Sequence, residues 1–291
     1  MLKTLLQSSS RLILRANLRR LQSFATLRAN AESNNETQQS KDADKFTAIH
    51  ALREDVAAVY RMCERHGFNE GVCNHITAAV DHPEAKSGAS LVVPHGLDWS
   101  EVTASSLLLF DNETGALLEG KGKVESSAFN IHASIHMCLP EAKIVIHTHM
   151  PYATALTSLD NQNGDSLAFV NQNALPFFGR VAYDNEYHGL VDDRDEGNRI
   201  AHKMRGKAAL FMANHGVTVV GRTVAETWNE LYYLERACMN QVLAMSTGRP
   251  LKAVEPEVAI MVRDRYLENA EEYSELFFAA QKRLLGPGFS S

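Results

Sequence analysis

The run Ile144-Val-Ile-His-Thr-His149 constrains this chain more than any other stretch. Lys143-Ile-Val-Ile is apolar and β-branched, which suits the pleated surface of a buried strand. Side chains on a strand alternate between faces, so His147 and His149, two apart, project from the same side. Two neutral imidazoles side by side begin a metal site, because ring nitrogens are common donors to zinc. Farther along, Ala208-Ala-Leu-Phe-Met-Ala-Asn-His215-Gly216 reads as a second apolar strand that ends on histidine and supplies a third donor. A lone histidine is more often an ordinary core or loop residue. A His-x-His pair joined by a strand-terminal His215 points to a metal instead.

The rest of the sequence fits a folded protein around such a site. With 291 residues, 45% of them hydrophobic, the chain can bury a full core as one large domain with appendages. A formal net charge of -6, with no basic cluster in the body, argues against a nucleic-acid partner. No stretch reaches the uninterrupted apolar length of a membrane span, so no membrane partner is expected. Cys63, Cys73, Cys138 and Cys238 are scattered and form no Cys-x-x-Cys pair. They read as reduced, as in a cytosolic or matrix compartment.

Residues 1–31 read as an organellar transit peptide. They carry Lys3, Arg11, Arg15, Arg19, Arg20 and Arg28, several serines and no acid. On a helix Leu14, Leu18 and Leu21 share one face, while Arg11, Arg15 and Arg19 mark another. The arginines suit a mitochondrial matrix address best, with a plastid or the cytoplasm as alternatives. Without those six cations the remainder carries about -12. The polar segment 32–45 reads as a linker, 46–250 as the main domain, and 251–291 as a C-terminal helical extension.

Periodicity predicts a helix from Phe46 to about His66 and a strand entered through Asn74-His75-Ile-Thr77. Further strands are expected at Ser90–Val93, at the apolar run ending on Phe110, and at Leu117–Glu119 after a turn at Asp111–Gly115. Ser126 or Ser127 is expected to cap a helix that Pro140 ends. Later come a short helix at Asn198–Met204, a strand continuing from Gly216 to Gly221, a long helix from Val224 to Met245, and one C-terminal helix from Val258 to Leu285. Strands and helices mix without strict alternation, which gives an α/β layered domain and not a doubly wound parallel sheet.

Several phrases resemble the class II aldolase/adducin family. They are the segment from Glu125-Ser-Ser-Ala-Phe-Asn-Ile-His to His147-Thr-His149, with Asn74-His-Ile-Thr77, Tyr187-His188-Gly-Leu and Asn214-His215-Gly216 around it. Pro94-His95-Gly96-Leu-Asp-Trp and Phe178-Gly-Arg-Val-Ala-Tyr are similar to the adducin head domain and its bacterial relatives. The resemblance implies a three-layer α/β fold, a central mainly antiparallel sheet flanked by helices, assembled as a homotetramer. It implies zinc, or another divalent metal such as Fe2+ or Mn2+, on His147, His149 and His215. There the metal would act as a Lewis acid on a small hydroxy-carbonyl substrate. Phosphate-binding positions of the sugar-phosphate aldolases fall on Asn74, Ser126, Ser127 and Gly96. Turn-making and helix capping account for the same residue types.

One position departs from the family pattern. The carboxylate that moves a proton in the aldolases falls on Ala128, and alanine cannot do so. Glu125, three residues earlier, is the candidate substitute, and a helix-start glutamate is its plainer reading. His132 and His136, four apart on the same helix, are expected near the metal as supporting groups. Three functions therefore stand: an aldolase/epimerase-type lyase; an adducin-like, non-catalytic actin-cytoskeleton scaffold; and a non-haem iron oxygenase or decarboxylase. The scaffold reading is weakened because the chain stops at Leu285-Gly-Pro-Gly-Phe-Ser-Ser, without the lysine-rich tail of adducins.

Overall fold

The computed structural model describes residues 47–160, 166–191 and 193–291. The expected transit peptide and linker lie outside them. The chain divides into two units, Met1–His50 and Ala51–Ser291. Of the first, residues 47–50 are described and are helical. The second holds everything that follows.

Its centre is an eight-stranded sheet ordered β4-β3-β2-β1-β5-β8-β7-β6. The strands are β1 (His75–Val80), β2 (Ala89–Val92), β3 (Leu108–Asp111), β4 (Leu117–Glu119), β5 (Ile144–Thr148), β6 (Val181–Asp184), β7 (Ala209–Met212) and β8 (Gly216–Gly221). Every pairing is antiparallel except β6 with β7. The apolar strand carrying His147 thus sits in the middle, with His147 opposite His75 on β1 and opposite Thr218 on β8.

Helices cover the sheet because its inner strands are buried on both faces. Val145 and Leu210 join Ile131, Ile135, Ile200 and Met204 in one buried cluster. That face is therefore covered by α2 (Ala133–Cys138) and α4 (Arg194–Lys203). The helices α3 (Pro151–Thr157) and α5 (Val224–Met245) pack against β5, β7 and β8. A first helix, α1 (residues 47–66), is pinned by the fully buried Tyr60. Its hydroxyl donates to Ile76 O at 2.6 Å and accepts from Ile76 N at 2.9 Å and Val93 N at 3.2 Å. The tie fixes β1 one residue from His75. Two last helices, α6 (Pro256–Glu268) and α7 (Ala270–Leu285), follow, with α7 packed along α5. No helix among the described residues is long and apolar enough to cross a membrane.

Five expectations need correction. The stretch after Met212 is not one continuing strand: residues 213–215 turn the chain, and β8 runs back antiparallel to β7. A strand at Val181–Asp184 was not foreseen. It pairs in parallel with β7, so its signal lies in a distant partner and not in local alternation. The α4 helix begins at Arg194, four residues early, because Asp193 accepts from Glu196 N at 2.9 Å and caps it. The single C-terminal helix is two, broken at Asn269. Neither Ser126 nor Ser127 caps its helix. Glu125 does, its Oε2 accepting from Ala128 N at 2.8 Å, and the helix opens with a π-type turn over Ala128–His132.

Candidate metal centre

His147 lies inside β5, His149 just past its end, and His215 in the turn between β7 and β8. Antiparallel pairing of β5 with β8 brings that turn alongside the end of β5. The three side chains converge, one ligand atom from each lying within 4.8 Å of the others. Their ring centroids are 5.2 Å (His147–His149), 4.8 Å (His147–His215) and 5.0 Å (His149–His215) apart.

Backbone geometry makes the approach feasible. Asn214 has a φ of 55°, the one positive value at a non-glycine position among the described residues, and it turns His215 back toward β5. A Cβ on Gly216 would lie 2.6 Å from Thr148 O and 2.7 Å from the His149 ring. Only glycine leaves that ring its place.

The donor atoms fit a divalent cation. His147 Nδ1 donates to Val217 O at 3.0 Å, which leaves Nε2 as the metal-facing nitrogen. His149 Nε2 is buried with no protein partner, an orphan acceptor of the kind a cation satisfies. Neutral rings are required, and they are provided. Burial first, then the neighbouring imidazoles, holds His147 well below its ordinary value. Burial and then His149 push His215 down to about 4. The His149 backbone N–H donates to Asn74 Oδ1 at 3.3 Å, and the same oxygen accepts from Glu70 N at 2.6 Å. Asn74 therefore clamps the end of β5 to the loop before β1, leaving its own buried Nδ2 unpartnered.

Beneath the triad lies a group that sequence reasoning did not find. His75, 1% exposed, places its ring 5.1 Å from that of His147 and 4.4 Å from that of His132. From it runs an unbroken series of short contacts. Glu125 Oε2 meets Ser127 Oγ at 2.5 Å, and Ser127 Oγ meets His75 Nε2 at 3.0 Å. His75 Nδ1 meets His132 Nε2 at 2.8 Å, and His132 Nδ1 meets Thr77 Oγ1 at 2.8 Å. Thr77 Oγ1 meets His136 Nε2 at 2.7 Å, and His136 Nδ1 donates to Ala142 O at 2.7 Å. Both ring nitrogens of His75, His132 and His136 are spent in this way, so none of the three is free to bind the metal. Both ends of the series are acceptors, a carboxylate and a carbonyl. All six contacts are hydrogen bonds together only if one group carries an extra proton, a demand that burial opposes at each ring.

The remaining expected residues are placed as follows. Burial raises the Glu125 carboxyl, but the bonds from the Ser127 hydroxyl and the Ala128 N–H hold it below its ordinary value. Its Oε2 is 3.8 Å from His75 Nε2. Ala128, at the position where the aldolases carry their acid, is fully buried. Ser126 is exposed, and Gly96 sits in a left-handed turn with open space around it. His188 pairs with Glu186 at 3.2 Å on the surface. Tyr187, beside them, has its ring 6.3 Å from His215, and no periodicity in its segment announced that placement.

Three converging imidazoles on a mainly antiparallel, helix-flanked sheet make a candidate three-histidine metal centre. The chain belongs to the class II aldolase and adducin N-terminal domain family, whose pattern it matches over residues 54–242. It is 34% identical over 207 residues to the decarboxylase NovR of Streptomyces niveus, spanning 70% of this chain and 73% of that protein. It is 33% identical over 203 residues to alpha-adducin of Rattus norvegicus, spanning 68% of this chain and 26% of the adducin. Among solved structures, the L-fuculose 1-phosphate aldolase from Glaciozyma antarctica PI12 matches with a TM-score of 0.72 at 26% identity. That match covers 84% of this chain and 94% of the aldolase.

Proposed function

We propose that this chain is a metal-dependent lyase of the aldolase/epimerase type. It acts as a homotetramer on a small hydroxy-carbonyl compound, and the basic leader read in residues 1–31 supports an organellar address. One observation carries the reading: His147, His149 and His215 converge, and the buried Nε2 of His149 has no other partner. His147, His149 and His215 would hold zinc, or Fe2+ or Mn2+ in its place, which would supply Lewis acidity toward a substrate carbonyl. Val217 and Asn74 hold His147 and His149 in position. His75 closes the inner side of the site. Glu125, held ionised at neutral pH, would accept the Ser127 hydroxyl proton at Oε2 as the proton leaving the substrate replaces it on Ser127 Oγ.

Ala128 favours a second reading. A metal-dependent decarboxylase, or an oxygenase using ferrous iron, has no need of a carboxylate at that position, and one relative is named a decarboxylase. The adducin-like scaffold has less support, since binding a protein partner does not require three converging imidazoles. Elemental analysis of the purified protein is expected to give one divalent metal per chain, and none in His149→Ala. Metal-free wild type overturns the proposal. Assay of the loaded protein over aldehydes, keto acids and sugar phosphates then separates the two enzymatic readings. An aldolase-type lyase cleaves its substrate with neither oxygen uptake nor release of carbon dioxide, and loses turnover, but not metal, in Glu125→Gln.

A further inference from the structure

Six of the histidines fall into two sets, and the division is set by what each ring nitrogen touches. His147, His149 and His215 present nitrogens to a common point. His75, His132 and His136 present both nitrogens to one another, to Thr77, to Ser127 and to a backbone carbonyl. The second set is at least as deeply buried as the first, with His132 and Thr77 at 0% exposure. Burying polar groups this completely costs free energy unless they are bonded, and with neutral rings the five protons of Ser127, His75, His132, Thr77 and His136 serve five of the six contacts.

We propose that Thr77, His132 and His136 are positioning residues that act on the Ser127–Glu125 pair through His75 and not on the metal ligands. The direction of the series carries the proposal. It starts at Ala142 O, two residues before β5, and crosses from α2 to β1 through Thr77 and back to the π-type turn through His132. From there it reaches His75 and ends on Ser127 Oγ and Glu125 Oε2. No hydrogen bond along it touches His147, His149 or His215. Thr77 is the hinge, because one hydroxyl joins two rings. It faces the same side of the sheet as His75, two residues away on β1. The π-type turn over Ala128–His132 lets the same segment offer Ser127 at one end and His132 at the other to a single imidazole.

The inference rests on the proposed function, since the pair being positioned is the one assigned proton transfer. Its test does not. Imidazole nitrogens and their protons are followed by 15N NMR in metal-free and zinc-loaded protein, for wild type, Thr77→Val, Thr77→Ala and Thr77→Ser. A slowly exchanging N–H in the buried His75–His132 link is expected in wild type and in Thr77→Ser. Its loss is expected in Thr77→Val and Thr77→Ala, together with a shift of the Ala128 amide that bonds Glu125. Zinc affinity is expected to hold within about threefold, against the ~10–100-fold loss that follows removal of a group bonded to a metal ligand. An unmoved His75 ring in a folded Thr77→Val or Thr77→Ala protein overturns the proposal, as does a zinc affinity that falls with the link. A protein that binds no zinc but still shows the link and its loss sinks the metal reading and leaves the positioning role standing.

Discussion

At the residue scale, Gly216 shows how little room the centre leaves. A methyl group there meets the carbonyl oxygen of Thr148, and backbone cannot swing aside as a flexible side chain can. The φ of Gly216 is unexceptional, so the constraint is one of space and not of backbone conformation. Gly216→Ala is expected to cost about 1–3 kcal/mol in denaturant unfolding and to weaken zinc binding, because the His149 ring must give way. An unchanged zinc titration would count against this packing. The Asn-His-Gly phrase and the His-x-His pair were legible as candidate ligands because they end or occupy apolar runs, and the structure brings their three imidazoles together. His75 was not. Its closeness to His147 comes from the register of β1 on β5, which joins residues far apart in sequence. Glu125 was legible as a carboxylate near the right place, but its capping of the π-type turn was not.

At the element scale, α3 depends on a residue it does not contain. Met150, at its N-cap position, offers no side-chain bond, and Pro151 supplies the first turn. The N–H groups of Tyr152 and Ala153, which have no partner within the first turn, are satisfied instead by the two carboxylate oxygens of Glu235 on α5, each at 2.8 Å. Glu235 is 3% exposed and thereby ties the segment leaving His149 to the helix that follows β8. Glu235→Gln keeps one acceptor and turns an N–H₂ toward the other donor. It is expected to cost about 1–3 kcal/mol and to speed amide exchange at residues 152 and 153. Protection unchanged at both amides would refute the clamp. The long α5 was read from sequence at its observed bounds from its regular apolar stripe, and the structure adds a cap in which Thr223 accepts from Glu226 N. No such local marks exist for β6, which reads as a loop until β7 is beside it. The break at Asn269 was missed for the opposite reason: helix-forming residues lie on both sides of it.

At the scale of the whole molecule, the ligands come from β5 and from the β7–β8 turn, so a bound cation cross-links the two parts of the sheet's centre. Binding to the folded state alone raises unfolding stability by about 2.7 kcal/mol at a hundredfold excess over Kd. Zinc is therefore expected to raise the unfolding midpoint of the wild-type protein and to do nothing for His149→Ala. A chelator should reverse the gain. Equal shifts in the two proteins would mean that the stabilising zinc sits elsewhere. The sheet order itself was not legible, because only pairing across the whole chain decides it. The layered α/β class was, from the mixture of short strands and amphipathic helices.

The separation of His149 from His215 along the chain has one more effect. Without the β5–β8 pairing the three imidazoles do not meet, so an ion held by all three would be loaded only after that pairing forms. Affinity alone ranks copper and zinc above iron or manganese for nitrogen donors, and supply decides among them in the cell. The ion found in this protein will therefore record the surroundings in which its last strands came together, and not those in which its first residues were made.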